Sequence, residues 1–216
     1  MHDKGGRNEM RTMIYASLAM SLLLVSCNST TEKPTEEIKS PAETPVEETS
    51  EETTTLPDRE STMDVVVSVE GEDSTITMDL VEGRDALYSM YIDSERYTFK
   101  IGEKEDKLMP LDEMPESYPE VNMTFLYVEN QTPESVKEDM EQEYNMQFEE
   151  KLISAPVNAL SLHGTSGEES DSEVVTIYMM EVDGGTLLIK ENYFLEAQEG
   201  HGARFEQMLE TLEVRK

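Results

Sequence analysis

The sequence predicts an α+β fold for residues 62–216, in which two helices pack on an antiparallel sheet. Three observations support this prediction. Apolar and polar residues alternate in several short runs, which is the period of a half-buried strand. Two other segments place apolar residues three or four positions apart, which is typical of a helix packed on a core. The elements follow the order strands, helix, strands, helix.

The first half of this region favours two hairpins, a loop and a further strand. The alternating runs contain valine, tyrosine and other residues that suit strands, and Gly, Asp and Ser lie between them. The predicted segments are strands at 65–69 and 76–80 with a turn at 71–74, strands at 88–92 and 97–101 with a turn at 93–95, a long loop at 104–119, and a strand at 123–127.

A helix is predicted to begin after Thr132 and to end near residue 145. Thr132 suits the N-cap, and the proline that follows suits the first helical position. Val136, Met140 and Tyr144 lie four residues apart and therefore form one apolar stripe.

The second half favours a central hairpin and a C-terminal helix. Residues 174–182 are almost continuously apolar, which indicates a strand that is covered on both faces. The other predicted segments are an extended stretch at 151–163 with Leu160 and Leu162 on one face, an acidic turn at 164–173, a tight turn at 183–185, a strand at 186–194, and a helix at 202–212 with Phe205, Met208, Leu209 and Leu212 facing the core.

The chain is strongly acidic, with 48 Asp and Glu against 17 Lys and Arg and a net charge of −31. Such a surface repels nucleic acid and anionic lipid headgroups, so neither is an expected partner. Three interpretations stay open. The charge provides solubility outside the cell, it attracts a basic partner protein, or it binds divalent cations weakly.

The N-terminal segment has the layout of a secretory signal peptide, predicted at residues 1–26. Lys4, Arg7 and Arg11 precede an uncharged apolar segment that ends at Cys27, the only cysteine of the chain. The apolar segment is shorter than the roughly 20 residues that span a bilayer. An ordinary signal peptide followed by a chance cysteine is the alternative.

The run Leu24-Val25-Ser26-Cys27 resembles the lipobox of bacterial lipoproteins. The resemblance implies cleavage before Cys27, a diacylglyceryl group on its thiol, and a location on the outer leaflet of a bacterial membrane. More than one acyl chain gives stable attachment. Residues 27–61 are rich in Thr, Glu, Pro and Ser, and we expect them to form a disordered acidic tether.

Several later motifs resemble a group of uncharacterised lipoproteins from bacilli, whose domain is similar in plan to the PsbP-like fold. The motifs are Tyr97-Thr98-Phe99, Pro133-Glu134-Ser135-Val136, the glycine pair Gly184-Gly185, the run Tyr193–Ala197, the run Glu199–Phe205, and the pair Met208-Leu209. The PsbP-like fold includes an extrinsic subunit of photosystem II and the import factor that binds the Ran GTPase. The resemblance implies a protein-binding domain and identifies no site residue.

The candidate interaction residues are Arg204 and His201. Arg204 is expected either to pair with a local carboxylate or to anchor an interface. His201 lies between two glycines, at the entry to the last helix. It shares the predicted mature chain with one other histidine, His163, whereas a zinc site needs three or four ligands. We therefore predict no metal site and no cofactor.

The leading hypothesis is a non-enzymatic lipoprotein that displays a protein-binding domain. No Gly-x-Ser-x-Gly or phosphate-binding loop is present, and the thiol of Cys27 is consumed by lipidation, so no catalytic residue is assigned. The alternative is a lipoprotein that binds a small ligand or a divalent cation through its acidic surface. The acidic run 168–173 lacks the spacing of a calcium loop, and a solvated hairpin loop is the simpler interpretation.

Overall fold

Eleven strands in the described part of the chain form two antiparallel sheets. The computed structural model describes residues 59–69, 72–115, 117–144 and 146–215. The predicted signal peptide, Cys27 and the tether up to residue 58 lie outside these ranges. The α+β class is confirmed, and the sheets account for most of the structure.

The first sheet has four strands in the order β1-β2-β3-β11. These strands are β1 (Thr62–Val69), β2 (Glu72–Glu82), β3 (Tyr88–Ile92) and β11 (Glu213–Val214). Strands β1 and β2 form the predicted first hairpin, with Val65 opposite Ile76. Glu72 already pairs with Val69, so residues 72–74 belong to the strand and not to the predicted turn.

The second sheet has seven strands in the order β4-β5-β6-β10-β9-β8-β7. These strands are β4 (Tyr97–Lys100), β5 (Asp106–Pro110), β6 (Asn122–Glu129), β7 (Phe148–Ile153), β8 (Ala159–Thr165), β9 (Glu173–Val182) and β10 (Gly185–Phe194). The predicted central hairpin is confirmed, since Gly185 pairs with Val182. Gly184 has φ of +77°, which glycine adopts without strain.

Two helices pack against the sheets. Helix α1 (Pro133–Glu143) begins as predicted, and the Thr132 hydroxyl accepts the backbone N–H of Ser135 at 3.4 Å. Helix α2 (Ala203–Leu209) follows a 3₁₀ turn (Leu195–Ala197) and a π turn (Gln198–Gly202).

The second sheet has a hydrophobic core on each of its faces, because successive side chains of a strand point in opposite directions. Val136 of α1 packs with Val175, Ile177 and Met179 of β9 in the smaller core. Tyr178, one residue from both Ile177 and Met179, belongs to the larger core instead. This alternation confirms that β9 is covered on both faces.

The larger core contains α2 and side chains from both sheets. Phe205, Met208 and Leu209 are fully buried there, as the helical period predicts. The predicted fourth residue, Leu212, lies beyond the helix and is partly buried against the same core.

The predicted second hairpin is wrong. Strand β3 belongs to the first sheet and β4 to the second, so the turn between them carries the chain from one sheet to the other. The Asp93 carbonyl accepts the backbone N–H groups of Arg96 and Tyr97, and its carboxylate accepts the Arg96 guanidinium at 2.9 Å. Alternation identifies a strand but does not identify its neighbour. For this reason the sequence predicted one sheet where the structure has two.

Two further segments differ from the sequence prediction. The stretch 104–119 is not only loop, because Asp106–Pro110 forms β5 between β4 and β6. The extended stretch 151–163 is divided between β7 and β8, which pair as a hairpin. Two charged residues at the start of β5 concealed its period.

The folded region includes Arg59 and Glu60, which the sequence assigns to the tether. The Arg59 guanidinium lies 4.4 Å from the centre of the Tyr91 ring and donates to the Ser89 and Thr211 carbonyls. The Tyr91 hydroxyl donates to the Glu60 carbonyl at 2.8 Å. Among the described residues, no helix is long and apolar enough to cross a bilayer.

Candidate ligand-binding cavity

A cavity of about 300 Å³ lies where the first sheet meets the start of β5. Its apolar wall includes Leu87, Phe125 and Leu187, and the Tyr88 ring stacks on Phe125 with 4.8 Å between ring centres. The volume is at the lower end of the range of about 300–1,000 Å³ for small-molecule sites. The cavity therefore suits a small ligand with an apolar part.

The polar end of the cavity is built around the Asp106 carboxylate, which is 2% exposed. Its Oδ2 accepts the backbone N–H of Arg84 at 2.8 Å and the hydroxyl of Tyr88 at 2.9 Å. Its Oδ1 lies 4.0 Å from Nε of Arg84. Burial and the neighbouring Asp106 carboxylate raise the pKa of Tyr88 well above its ordinary value, so the hydroxyl stays protonated and donates.

Two buried polar atoms of this end have no hydrogen-bond partner among the described residues. They are Nη2 of Arg84 and Oδ1 of Asp106. An unpaired buried donor or acceptor costs about 1–3 kcal/mol, and more when the group is charged. A ligand that supplied one acceptor and one donor would satisfy both atoms.

The backbone beside Arg84 is held in an unusual conformation. Asp85 and Ala86 are consecutive non-glycine residues at φ of +54° and +49°. Arg215 supports this turn by donating to the Ala86 carbonyl at 3.1 Å and to the Asp85 carbonyl at 2.6 Å. Backbone strain of this kind is concentrated at binding and catalytic sites, where surrounding contacts maintain it.

Gly83 is required for the position of the Tyr88 ring. A Cβ atom at residue 83 would lie 2.2 Å from that ring. The Gly83 N–H donates to the Tyr88 carbonyl at 2.9 Å, which closes the short loop between β2 and β3. The glycine therefore allows the close approach that directs the Tyr88 hydroxyl to Asp106.

The charge of the cavity lining differs from that of the whole chain. Arg84, Lys104 and Arg215 line it together with the carboxylates of Asp85 and Asp106. The balance is one positive charge, in a protein whose net charge is −31. Positive charges therefore outnumber negative charges in the cavity lining, although the protein as a whole is strongly acidic.

The structure places the predicted interaction residues elsewhere. His201 lies in the π turn, where its Nδ1 is 2.8 Å from the Tyr97 hydroxyl. Burial and then the charge of Arg204 lower the pKa of His201, which keeps the ring neutral at pH 7. Neither His201 nor Arg204 lines the Asp106 cavity.

Arg204 does not pair with a carboxylate in the described part of the chain, which corrects the expectation of a local ion pair. Its guanidinium donates to the Gly200 carbonyl at 3.0 Å, one helical turn earlier. This carbonyl belongs to the π turn, where the hydrogen-bond pattern of the helix changes, so Arg204 stabilises the entry to α2.

His163 and parts of the acidic run 168–173 make hydrogen bonds to neighbouring residues. The exposed ring of His163 bonds through Nδ1 to the Thr176 hydroxyl on the neighbouring strand at 3.0 Å. Within the run, the Ser172 hydroxyl accepts the Glu169 N–H, and the Glu173 carboxylate accepts the Asn192 amide. Of the residues that the structure describes, no group of three or more His, Cys, Asp or Glu could hold a metal ion.

A second buried carboxylate, Glu191, lies in the larger core and is 1% exposed. Its Oε2 accepts the Tyr178 hydroxyl at 3.3 Å, and its Oε1 has no hydrogen-bond partner in the described ranges. Burial, and then the negative charge of Glu206, raise the pKa of Glu191 well above its ordinary value. Both effects favour the neutral form of the Glu191 carboxyl group in the core.

Sequence reasoning missed the burial of Asp106 and Glu191. A signal for Glu191 was present, because it shares the face of β10 on which Leu187, Ile189 and Tyr193 are buried. For Asp106 no comparable signal existed, since its strand was itself not predicted. Its partner Tyr88 lies in the first sheet and its partner Arg84 in the turn between β2 and β3, so they become neighbours of Asp106 only in the folded chain.

A comparison with solved structures gives a distant similarity. No protein-family model and no curated protein matches the chain. A crystal structure at 1.50 Å resolution of a protein from Bacteroides thetaiotaomicron VPI-5482 is similar with a TM-score of 0.43 and 11% sequence identity. The match covers 63% of this chain and 48% of the other, so the chain matches about half the length of that protein.

Proposed function

We propose that this protein is a lipid-anchored, non-enzymatic binding protein on the outside of a bacterial membrane, and that the Asp106 cavity holds its small ligand. One observation carries the binding proposal. Arg84 and Asp106 each present a buried atom without a hydrogen-bond partner in the described residues, and both side chains line the same cavity. Small-molecule sites commonly combine apolar walls with a few converging polar groups.

The anchoring proposal rests on the sequence. Cys27 would carry the lipid, and the residue after it is asparagine and not the aspartate that resembles an inner-membrane retention signal. The location would be the outer leaflet of the plasma membrane in a cell with one membrane, or the outer membrane in a cell with two. The PsbP-like topology belongs to the same proposal, and the order of strands and helices supports it only in outline.

Metabolic labelling with palmitate tests the anchor. The wild-type protein should incorporate the label, and Cys27→Ser should yield unlabelled precursor or protein released into the medium. Failure to label the wild-type protein would contradict lipidation. The binding proposal does not depend on this result.

A thermal-shift screen of small metabolites tests the binding proposal. The full-length protein, purified in detergent, should melt at higher temperature with at least one compound, since a ligand of the folded state stabilises it by RT ln(1 + [L]/Kd). Asp106→Asn should remove this shift, and Glu191→Gln should retain it. If no compound gives a shift that depends on Asp106, the cavity is not a binding site.

A protein partner is the second candidate function, favoured by the exposed side chain of Leu152. Leu152 is 86% exposed on β7, which forms one edge of the second sheet. An edge strand can pair with a strand of another protein. Crosslinking and pull-down from the native membrane test this function. The wild-type protein should capture a specific partner, and Leu152→Asp should lose it.

A further inference from the structure

We infer that the ligand of the Asp106 cavity is a free α-amino acid with an apolar side chain. This inference rests on the proposed function and specifies its ligand. It assigns the ammonium group of the amino acid to Oδ1 of Asp106 and the carboxylate to Nη2 of Arg84. The apolar side chain would lie against Phe125 and Leu187.

Opposite charges lie side by side at the polar end of the cavity. The Arg84 guanidinium and the Asp106 carboxylate each have an atom without a hydrogen-bond partner among the described residues. A simple anion would satisfy Arg84 but would meet repulsion from Asp106, and a simple cation would meet the reverse. A zwitterion satisfies both groups with charge-assisted hydrogen bonds, which are stronger than neutral ones.

The cavity lining carries more positive than negative charges. Lys104 and Arg215 line the cavity as well, and the lining has one more positive than negative charge. The guanidinium of Arg215 already donates to two backbone carbonyls, whereas the exposed Lys104 has no hydrogen bond or ion pair in the described part of the chain. Lys104 therefore favours the carboxylate end of the zwitterion.

The volume of the cavity and its apolar wall also favour an amino acid. A volume of about 300 Å³ is small for a ligand site, so a single amino acid is favoured over a longer peptide. Leu87, Phe125 and Leu187 line the cavity, so the wall assigned to the ligand side chain is apolar. A sugar would have to leave hydroxyl groups against this wall without partners.

Isothermal titration of the full-length protein in detergent at pH 7 tests the inference. The probes are L-leucine and L-phenylalanine, together with N-acetyl-L-leucine, which lacks the ammonium group, and L-leucinamide, which lacks the carboxylate. We expect one site per chain for leucine or phenylalanine and at least tenfold weaker binding of both leucine derivatives. Glycine, which has no apolar side chain, should also bind more weakly.

Two variants test which side chain binds the ammonium group and which binds the carboxylate, and a third variant serves as the control. Asp106→Asn should abolish the preference for leucine over its N-acetyl derivative, and Arg84→Met should abolish the preference for leucine over leucinamide. Glu120→Gln removes a charge that pairs with Lys107 at 3.0 Å and does not line the cavity, so it should bind leucine as the wild-type protein does. If either cavity variant fails to fold, the analogue series on the wild-type protein still decides the question.

Three results would overturn the inference. They are the absence of binding of both amino acids at millimolar concentration, equal binding of leucine and its N-acetyl derivative, and tighter binding of a leucine dipeptide than of leucine. Each of these leaves the proposed function standing if another metabolite stabilises the wild-type protein but not Asp106→Asn. If no metabolite does so, the proposed function fails as well.

Discussion

The buried carboxylates of Asp106 and Glu191 are almost equally inaccessible but have opposite surroundings. Asp106 accepts two hydrogen bonds, has the Arg84 guanidinium beside it and lines a cavity. Glu191 has one long hydrogen bond from Tyr178, and the charge that acts on it is negative. The comparison shows that burial alone does not indicate a site. A nearby cation and an open space distinguish a group that can bind from a group that is neutralised.

The largest effect is expected from removing Asp106. Asp106→Ala leaves the backbone N–H of Arg84 and the hydroxyl of Tyr88 without their acceptor, and each buried donor left unpaired costs about 1–3 kcal/mol. Urea unfolding of the full-length protein measures this change. The matched control is Glu120→Ala on the exposed pair with Lys107, which should cost at most about 1 kcal/mol. Equal effects of the two variants would show that the hydrogen bonds accepted by Asp106 do not stabilise the fold.

An effect of similar size is expected at α2, which contributes to the core that contains Glu191. Phe205→Ala removes a fully buried ring and should cost about 3–5 kcal/mol in the same unfolding measurement. Arg204→Ala, at the adjacent position, removes one hydrogen bond to a carbonyl and should cost about 1 kcal/mol. Intact stability of Phe205→Ala, together with loss of a membrane partner, would make this stripe a docking face.

A change of opposite sign is expected at Glu191. The pKa of Glu191 is raised in the folded state, so the wild-type protein loses stability as the pH rises from the unfolded-state pKa, about 4.3, towards the folded-state pKa. Glu191→Gln cannot ionise and should therefore be more stable than the wild-type protein at pH 8. Near pH 4 the two proteins should differ little. A variant that is less stable at pH 8 would show that the carboxylate has a counter-charge.

The smallest effect is expected at His201, whose pKa is lowered by burial. The wild-type protein should lose stability as the pH falls through the unfolded-state pKa of about 6.5, because protonation of the buried ring is unfavourable. His201→Gln should weaken this acid-induced loss and cost about 1 kcal/mol at pH 8 through the bond to Tyr97. Thermal melting from pH 5 to 8 measures both, and an unchanged pH profile would contradict the assignment.

The sequence predicts elements with a local period better than it predicts contacts between distant strands. The strand at 174–182 and the helix containing Phe205 were predictable because their burial follows a local period. The strands that pair with β3 and β5 were not predictable, because the pairing depends on which sheet each strand joins. The cavity depends on that pairing, since Arg84 and Tyr88 meet Asp106 only after both sheets have formed.

The most direct test of the central claim is a crystal structure of the full-length protein with a compound from the thermal-shift screen. The account predicts density for the ligand inside the cavity, with hydrogen bonds to Nη2 of Arg84 and Oδ1 of Asp106. Density on the acidic surface with the cavity empty would contradict it, and would favour the alternative in which surface carboxylates bind the ligand.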